Sequence, residues 1–157
     1  MKKCLWFSIL LVGFWLMTLC SCATTPTPKT VPLPTDKIVA PDPNLPPELS
    51  AFLGKWSGRW FMTHHVDSNM AATLTVEKID HKRAVIFYTW KGNYDWNLAP
   101  GQTPRFAVKL FKKDGITYFS WESKGNQFIF HINKDGELEG LMGKGKHHET
   151  YIKMDKE

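Results

Sequence analysis

The chain from residue 48 onward reads as an all-β fold, an eight-stranded antiparallel up-and-down barrel, and three observations predict it. Apolar residues recur there with a period of two rather than three and a half. Turn residues punctuate these runs at short, nearly regular intervals, and almost nothing is left over for a helix. Short antiparallel strands joined by hairpins leave exposed edges unless the sheet closes on itself, so closure is the economical solution. The uniform hairpin connections disfavour a two-sheet sandwich. A membrane-spanning barrel is disfavoured because the faces opposite the oily ones carry threonines with Glu77, Lys78, Lys109 and Glu139.

Strands are expected over 55–65, 70–79, 83–91, 105–112, 116–122, 127–133, 137–143 and 147–154. In the second, Ala72, Leu74 and Val76 alternate with Thr73, Thr75 and Glu77. In the fourth, Phe106, Val108 and Leu110 alternate with Ala107 and Lys109; in the sixth, Phe128, Phe130 and Ile132 alternate with Gln127, Ile129 and His131. Turn chemistry lies at Val66-Asp67-Ser68-Asn69, Asp80-His81-Lys82, Lys113-Asp114-Gly115, Lys124-Gly125-Asn126, Lys134-Asp135-Gly136 and Gly143-Lys144-Gly145. Asp-Gly between alternating runs is a strong hairpin signal, and it occurs twice.

The segment before the barrel has a different character. Lys2 and Lys3 precede a run of about fifteen apolar or small residues from Leu5 to Leu19, too short to span a bilayer comfortably. Ser21-Cys22 at its end resembles the lipobox of bacterial lipoproteins, which implies cleavage before Cys22 and acylation of that cysteine by a chain such as palmitate. Cys20 fits less well, because the bulky Leu19 stands where the lipobox wants a small residue. Ala23 resembles the outer-membrane sorting class, which implies an outer-membrane lipoprotein; it is expected to face the periplasm, with the cell-surface orientation left open. The three cysteines, Cys4, Cys20 and Cys22, all lie in this region, so the barrel has neither disulfides nor thiols and must be held by its core alone. Eight of the ten prolines fall between Ala23 and Pro47, which reads as a semi-extended tether. The expected organisation is a signal peptide over 1–21, a lipidated tether over 22–47 and the barrel over 48–157.

Leu53-Gly54-Lys55-Trp56-Ser57-Gly58-Arg59-Trp60 opens the first strand with two successive Gly-x-Trp patterns. This resembles the opening of calycin-type barrels, the lipocalins and avidin-like proteins, where the tryptophan plugs the barrel floor. By alternation Trp56, Gly58, Trp60 and Met62 share one face, assigned to the interior. The chain departs from the family in lacking a second lipocalin motif and the biotin-binding residues of avidins, and its last strand offers Lys153 where an arginine often covers the tryptophan. The resemblance implies a lipocalin-like lipoprotein that binds rather than catalyses.

The aromatic residues carry the site expectation. Tyr88 and Trp90 share a face with Ile86, and if that face is inward their hydroxyl and indole N–H groups need partners. The loop from Gly92 to Pro104 carries Tyr94 and Trp96, placed to close over a barrel mouth or to stack on a ligand or protein. Trp60, Tyr88, Trp90, Tyr94, Trp96 and Trp121 are therefore the candidate ligand-binding residues for a small apolar or amphipathic ligand. Two alternatives stay open. Eight strands leave an interior just wide enough for side chains, so these aromatics can equally fill a solid core. The protein is then an interaction module or an envelope enzyme inhibitor that uses the loop.

Other chemistries find little footing. His64-His65 and His147-His148 are expected at one rim, where His64 and His148 share a face, but two imidazoles make a weak metal site. No Gly-x-Ser-x-Gly, His-Glu-x-x-His or phosphate-cradling glycine loop occurs, and nothing in the spacing of Asp67, Asp95 and Glu122 brings them together, so no enzyme and no cofactor are expected. The net charge is +5, with 16 basic and 13 acidic residues from residue 48 onward. Lys144, Lys146, His147 and His148 make a basic stretch facing solvent or anionic headgroups, not a stripe suited to nucleic acid.

Overall fold

Nine strands hydrogen-bond into a single antiparallel sheet that returns on itself. In this computed structural model, residues 37–62, 65–144 and 147–157 are described, with the backbone alone for 65–68, 144 and 147–149. The strands are β1 (Gly54–Met62), β2 (His65–Ile79), β3 (Arg83–Trp90), β4 (Gly101–Gln102), β5 (Phe106–Lys113), β6 (Ile116–Ser123), β7 (Asn126–Ile132), β8 (Leu138–Lys144) and β9 (His147–Lys156). The order is β2-β1-β9-β8-β7-β6-β5-β3-β4, and the β2–β3 pairing closes the circle. Eight strands form the barrel, and the two-residue β4 adds to β3 from within the long loop. First and last strands are antiparallel neighbours, as closure requires.

The alternation read in the sequence is the alternation of burial. Trp56 and Trp60 from β1, Leu74 and Val76 from β2, Ile86 and Tyr88 from β3, Phe119 and Trp121 from β6, Phe130 from β7, Leu138 from β8, and Ile152 and Met154 from β9 form the core. Fully burying an aromatic residue removes on the order of 150–250 Å² from water, roughly 4–6 kcal/mol each before the cost of ordering.

Two hairpins use the turn expected for a two-residue connection. Asp114 and Gly115 have φ of 52° and 81°, and Lys124 and Gly125 have 52° and 76°, matching the right-handed twist of the flanking strands. The second Asp-Gly behaves differently: Asn133 Oδ1 accepts from the backbone N–H of Asp135 and Glu137, which widens the connection, and Gly136 alone takes φ of 83°. The turn expected at 66–69 lies instead within β2. Pairing passes from Phe61↔Asn69 to Met62↔His65, an irregularity that absorbs the extra residues without ending the strand.

Described structure also precedes residue 48. Val39 N donates to Glu77 O at 2.8 Å, Leu45 is buried, and a single-turn helix α1 (Pro47–Ser50) delivers Leu49, Phe52 and Leu53 to one end of the barrel. There Trp56 Nε1 donates to Phe52 O at 2.8 Å, and Phe52 meets Phe119 edge-on at 5.5 Å. The cation over the Trp56 ring is Lys156, with Nζ 5.1 Å from its centroid and 2.9 Å from Ala51 O. Lys153 has a different role. The ladder pairs Trp56 with Lys156 and Arg59 with Lys153, so Lys153 faces outward to Glu137 and Glu139, each at 3.2 Å. Partial burial lowers the pKa of Lys156, while those two carboxylates raise that of Lys153.

β1 and β9 approach so closely at Gly58 that a Cβ there would strike the Lys153 carbonyl oxygen, a backbone atom with no freedom to withdraw. Gly58→Ala is therefore expected to cost at least about 2–3 kcal/mol or to prevent folding. Gly125→Ala, with open space around it but φ of 76°, should cost only about 1 kcal/mol. Urea denaturation of the two variants checks the contrast.

Candidate functional site

One end of the barrel is sealed by α1 and Phe52; the other is filled only in part. A cavity of about 280 Å³ lies there, lined by Tyr88, Trp90, Trp96 and Trp121 with Leu98 and Phe128. Met62, Met70 and Met142 complete its apolar wall, and Thr103, Ser123, Lys124 and Asn126 supply its polar groups. Larger hollows, such as one of about 660 Å³ bounded by Asp80, Lys82, Arg83 and Lys109, lie outside the barrel beside the β2–β3 turn and contain no Trp, Tyr or Phe side chain.

The aromatic walls come from neighbouring strands in register. Trp121 of β6 pairs with Phe128 of β7, and their rings stack at 4.8 Å and 3°. Tyr88 and Trp90 point the same way along β3, stack at 5.8 Å and 27°, and Tyr88 meets Trp121 at 5.7 Å and 56°. Below them Trp60 packs edge-on against Phe128 and Phe130 and donates its Nε1–H to the Tyr88 hydroxyl. Trp60 is thus buried beneath the cavity and does not line it. Trp90 Nε1 donates to Ala99 O at 2.9 Å, and its indole lies against Gly101, where a Cβ would collide with the ring.

The long loop owes its shape to Asn93. Asn93 and Leu98 form an isolated antiparallel bridge, Trp96 N donates to Asn93 Oδ1 at 2.9 Å, and Asn93 Nδ2 reaches Asn69 O at 2.7 Å. Asn97, with φ of 48°, reverses the chain. Trp96 and Leu98 consequently turn towards the barrel, while Tyr94 projects into solvent with 98% of its surface exposed. Among the described residues, Trp96 Nε1 is buried without a hydrogen-bond partner. Leaving such a donor unpaired costs about 1–3 kcal/mol.

The far end of the loop is tied to the barrel wall. Thr103 N donates to Tyr88 O at 2.8 Å, and Tyr88 N donates to Thr103 Oγ1 at 3.1 Å. Arg105 Nε lies 2.8 Å from both oxygens of Glu77, and its guanidinium stacks over Phe87 at 5.2 Å. Glu77, expected as a solvated charge, is 4% exposed. It sits at the step where pairing passes from Val76↔Ile86 to Lys78↔Val85, and Lys37 N reaches its Oε1 at 3.3 Å.

Of the six candidate residues, the structure brings Tyr88, Trp90, Trp96 and Trp121 together; Trp60 supports them from below, and Tyr94 stands apart. His64 and the side chain of His148 lie outside the described residues, as does the side chain of Asp67. Asp95 and Glu122 are both exposed and do not line the cavity. Met70, Met142, Lys124 and Asn126 were not anticipated. The signal for the last two was topological: the hairpin at Lys124-Gly125 shares an end of the barrel with the long loop.

No known protein family matches the chain, and no curated protein matches it in sequence. Among solved structures it is similar to a barrel from the de novo design of a fluorescence-activating β-barrel, with a TM-score of 0.51 and 12% identity over 69% of this chain and 96% of that one. The likeness is one of fold alone.

Burial raises the pKa of the Tyr88 phenol above that of free tyrosine, against a smaller lowering by the bond from Trp60. The unfolded chain releases this proton near pH 10 while the folded chain keeps it, so this contribution to stability is complete below pH 10 and is lost as pH rises further. Tyr88→Phe should cost about 1–3 kcal/mol at neutral pH by orphaning Trp60 Nε1. Denaturation curves between pH 8 and about 11 should show a smaller alkaline loss in the variant than in the parent protein.

Proposed function

We propose that this protein is a lipocalin-like lipoprotein of the bacterial outer membrane, held at the periplasmic face by acylated Cys22, whose barrel binds a small apolar or amphipathic ligand. The observation that carries the binding reading is the cavity walled by Tyr88, Trp90, Trp96 and Trp121. It has the character of a ligand site: concave, mostly apolar, with few polar groups at its edge. The designed barrel to which the fold is similar is fluorescence-activating, and a barrel with an internal site is compatible with that likeness. Binding rather than catalysis is favoured because the candidate carboxylates Asp95 and Glu122 are exposed and do not line the cavity.

A second reading, contact with an envelope protein, is favoured by two surface features. Tyr94 projects fully into solvent. On the outer wall Leu141, Tyr151 and Phe61 follow one another across β8, β9 and β1, with Phe61 and Tyr151 stacked at 5.6 Å.

Anchoring is tested by fractionating cells grown with labelled palmitate. Cys22→Ser should lose the label and leave the membrane fraction, whereas Cys20→Ser should retain both. Equal loss in both variants, or none in either, contradicts the assignment. Binding is tested by native mass spectrometry of the protein released gently from envelopes. An added mass that leaves on denaturation supports the cavity reading, and a bare protein after incubation with envelope extract favours the protein-contact reading.

A further inference from the structure

We propose that the α1 end of the barrel docks on an anionic phospholipid surface through Lys82, Lys109, Lys112 and Lys113, with Phe111 and Ile116 entering the headgroup layer. Such docking goes beyond the anchoring reading and takes from it only that a membrane lies within reach.

Register gathers these residues. Lys109, Phe111 and Lys113 share the outward face of β5, and the ladder sets Arg83 of β3 beside Lys109 and Ile116 of β6 beside Lys113. Lys82 belongs to the adjoining β2–β3 turn, and Lys112 lies with His81 and Leu49 at the edge of α1. All four lysines are exposed. Phe111 and Ile116 each leave 41% of their surface in water, and the Phe111 ring lies nearly flat against Tyr118 at 5.4 Å and 15°. Apolar side chains ringed by lysines match the depth profile of a bilayer surface, with carbon below and ammonium groups at the phosphates.

These lysines are also uncompensated. Elsewhere at this end Lys55 pairs with Glu157 at 2.6 Å, Lys153 with Glu137 and Glu139, and Lys156 with Ala51 O. Lys82, Lys109, Lys112 and Lys113 form no ion pair among the described residues. The hollows that Lys82, Lys109 and Lys112 line hold Asp80 and Glu48 as their acidic side chains, and Asp80 is already taken up by Arg83. Asp114 follows Lys113 in the turn and leaves the patch basic.

The path of the chain favours a membrane over an acidic protein. Lys37 N and Val39 N are tied to Glu77, and residues 39–43 lie against the β2–β3 turn, so the described chain begins beside Lys82. Cys22 stands fifteen residues before Lys37 in the sequence, a reach of about 45 Å in polyproline II. Ile38 and Val39, 48% and 50% exposed, add apolar surface where the chain arrives.

The experiment reads depth on the full protein purified from envelopes. An environment-sensitive fluorophore is attached to a single introduced cysteine, Ile116→Cys at the α1 end or Tyr94→Cys at the other, with the parent protein as blank. Vesicles are phosphatidylcholine alone or with phosphatidylglycerol added. The label at 116 should shift to the blue on the charged vesicles only, the label at 94 on neither, and high salt should reverse the shift. At about fivefold per lysine, glutamine at all four positions should lower the docking equilibrium at least about tenfold without lowering the melting temperature. Lys144→Gln with Lys146→Gln, in the other basic stretch, should leave it unchanged. Should the fourfold variant fold poorly, the salt titration of the 116 label decides instead. A shift at 94 rather than 116, a shift indifferent to lipid charge and salt, or loss in the Lys144 and Lys146 variant rather than the fourfold one overturns the proposal. Protein that stays on both vesicles with no shift at 116 keeps its anchor and loses the docking surface. Protein that leaves neutral vesicles yet shifts on charged ones supports docking and overturns the anchor.

Discussion

An eight-stranded barrel has an interior about as wide as the side chains that fill it, and that limit governs both ends of this molecule. Where large aromatics enter from opposite walls, nothing else fits. Phe52, Trp56, Phe119 and Phe130 fill the end under α1, and Trp60 fills the middle. Towards the other end the inward positions carry Ala72, Met62, Met70 and Met142, which are small or flexible, and the filling is incomplete. The cavity lies where Tyr88, Trp90, Trp96 and Trp121 share the interior with these smaller or more adaptable residues.

The floor and the cavity are built on different energetic logic. At the floor the polar tips are paired: Trp56 Nε1 with Phe52 O, and Lys156 Nζ with Ala51 O. The cation above the Trp56 ring is supplied by the residue directly opposite it in the β1–β9 ladder. At the cavity, one donor is left buried and unpaired among the described residues, on a loop that is otherwise closely fastened by Asn93, Thr103 and Arg105.

The attachment of Arg105 to Glu77 joins three parts of the chain that are remote in sequence. Glu77 bulges from β2, Arg105 ends the long loop, and the segment from Lys37 to Val39 reaches Glu77 through its backbone N–H groups. Much of the Glu77 charge is removed from water, so the guanidinium, whose Nε–H is shared between both carboxylate oxygens, and the added backbone donor are what make its burial tolerable. This outer anchor fixes the end of the loop whose middle lines the cavity.

Strand identity, the closed topology and the turns other than the one expected at 66–69 were legible because side-chain alternation has a period of two and each Gly-containing turn has its own φ requirement. The alternation also assigned Trp56 and Trp60 to the interior and placed Tyr88 on one face with Ile86 and Trp90. What it left open was decided by register and by loop closure. Whether Lys153 or Lys156 covers Trp56 depends on which residue the ladder places opposite, and periodicity alone cannot count that offset. That Trp96 turns inward and Tyr94 outward follows from the Asn93 side chain and the positive φ of Asn97, both local details of an aperiodic loop. The existence of the cavity depended on how large side chains from several strands share one interior, which is a property of three-dimensional volume. The sequence by itself determined a closed, alternating, aromatic-rich barrel; only the tertiary structure decided where its filling stops, because packing is settled between residues far apart in the chain.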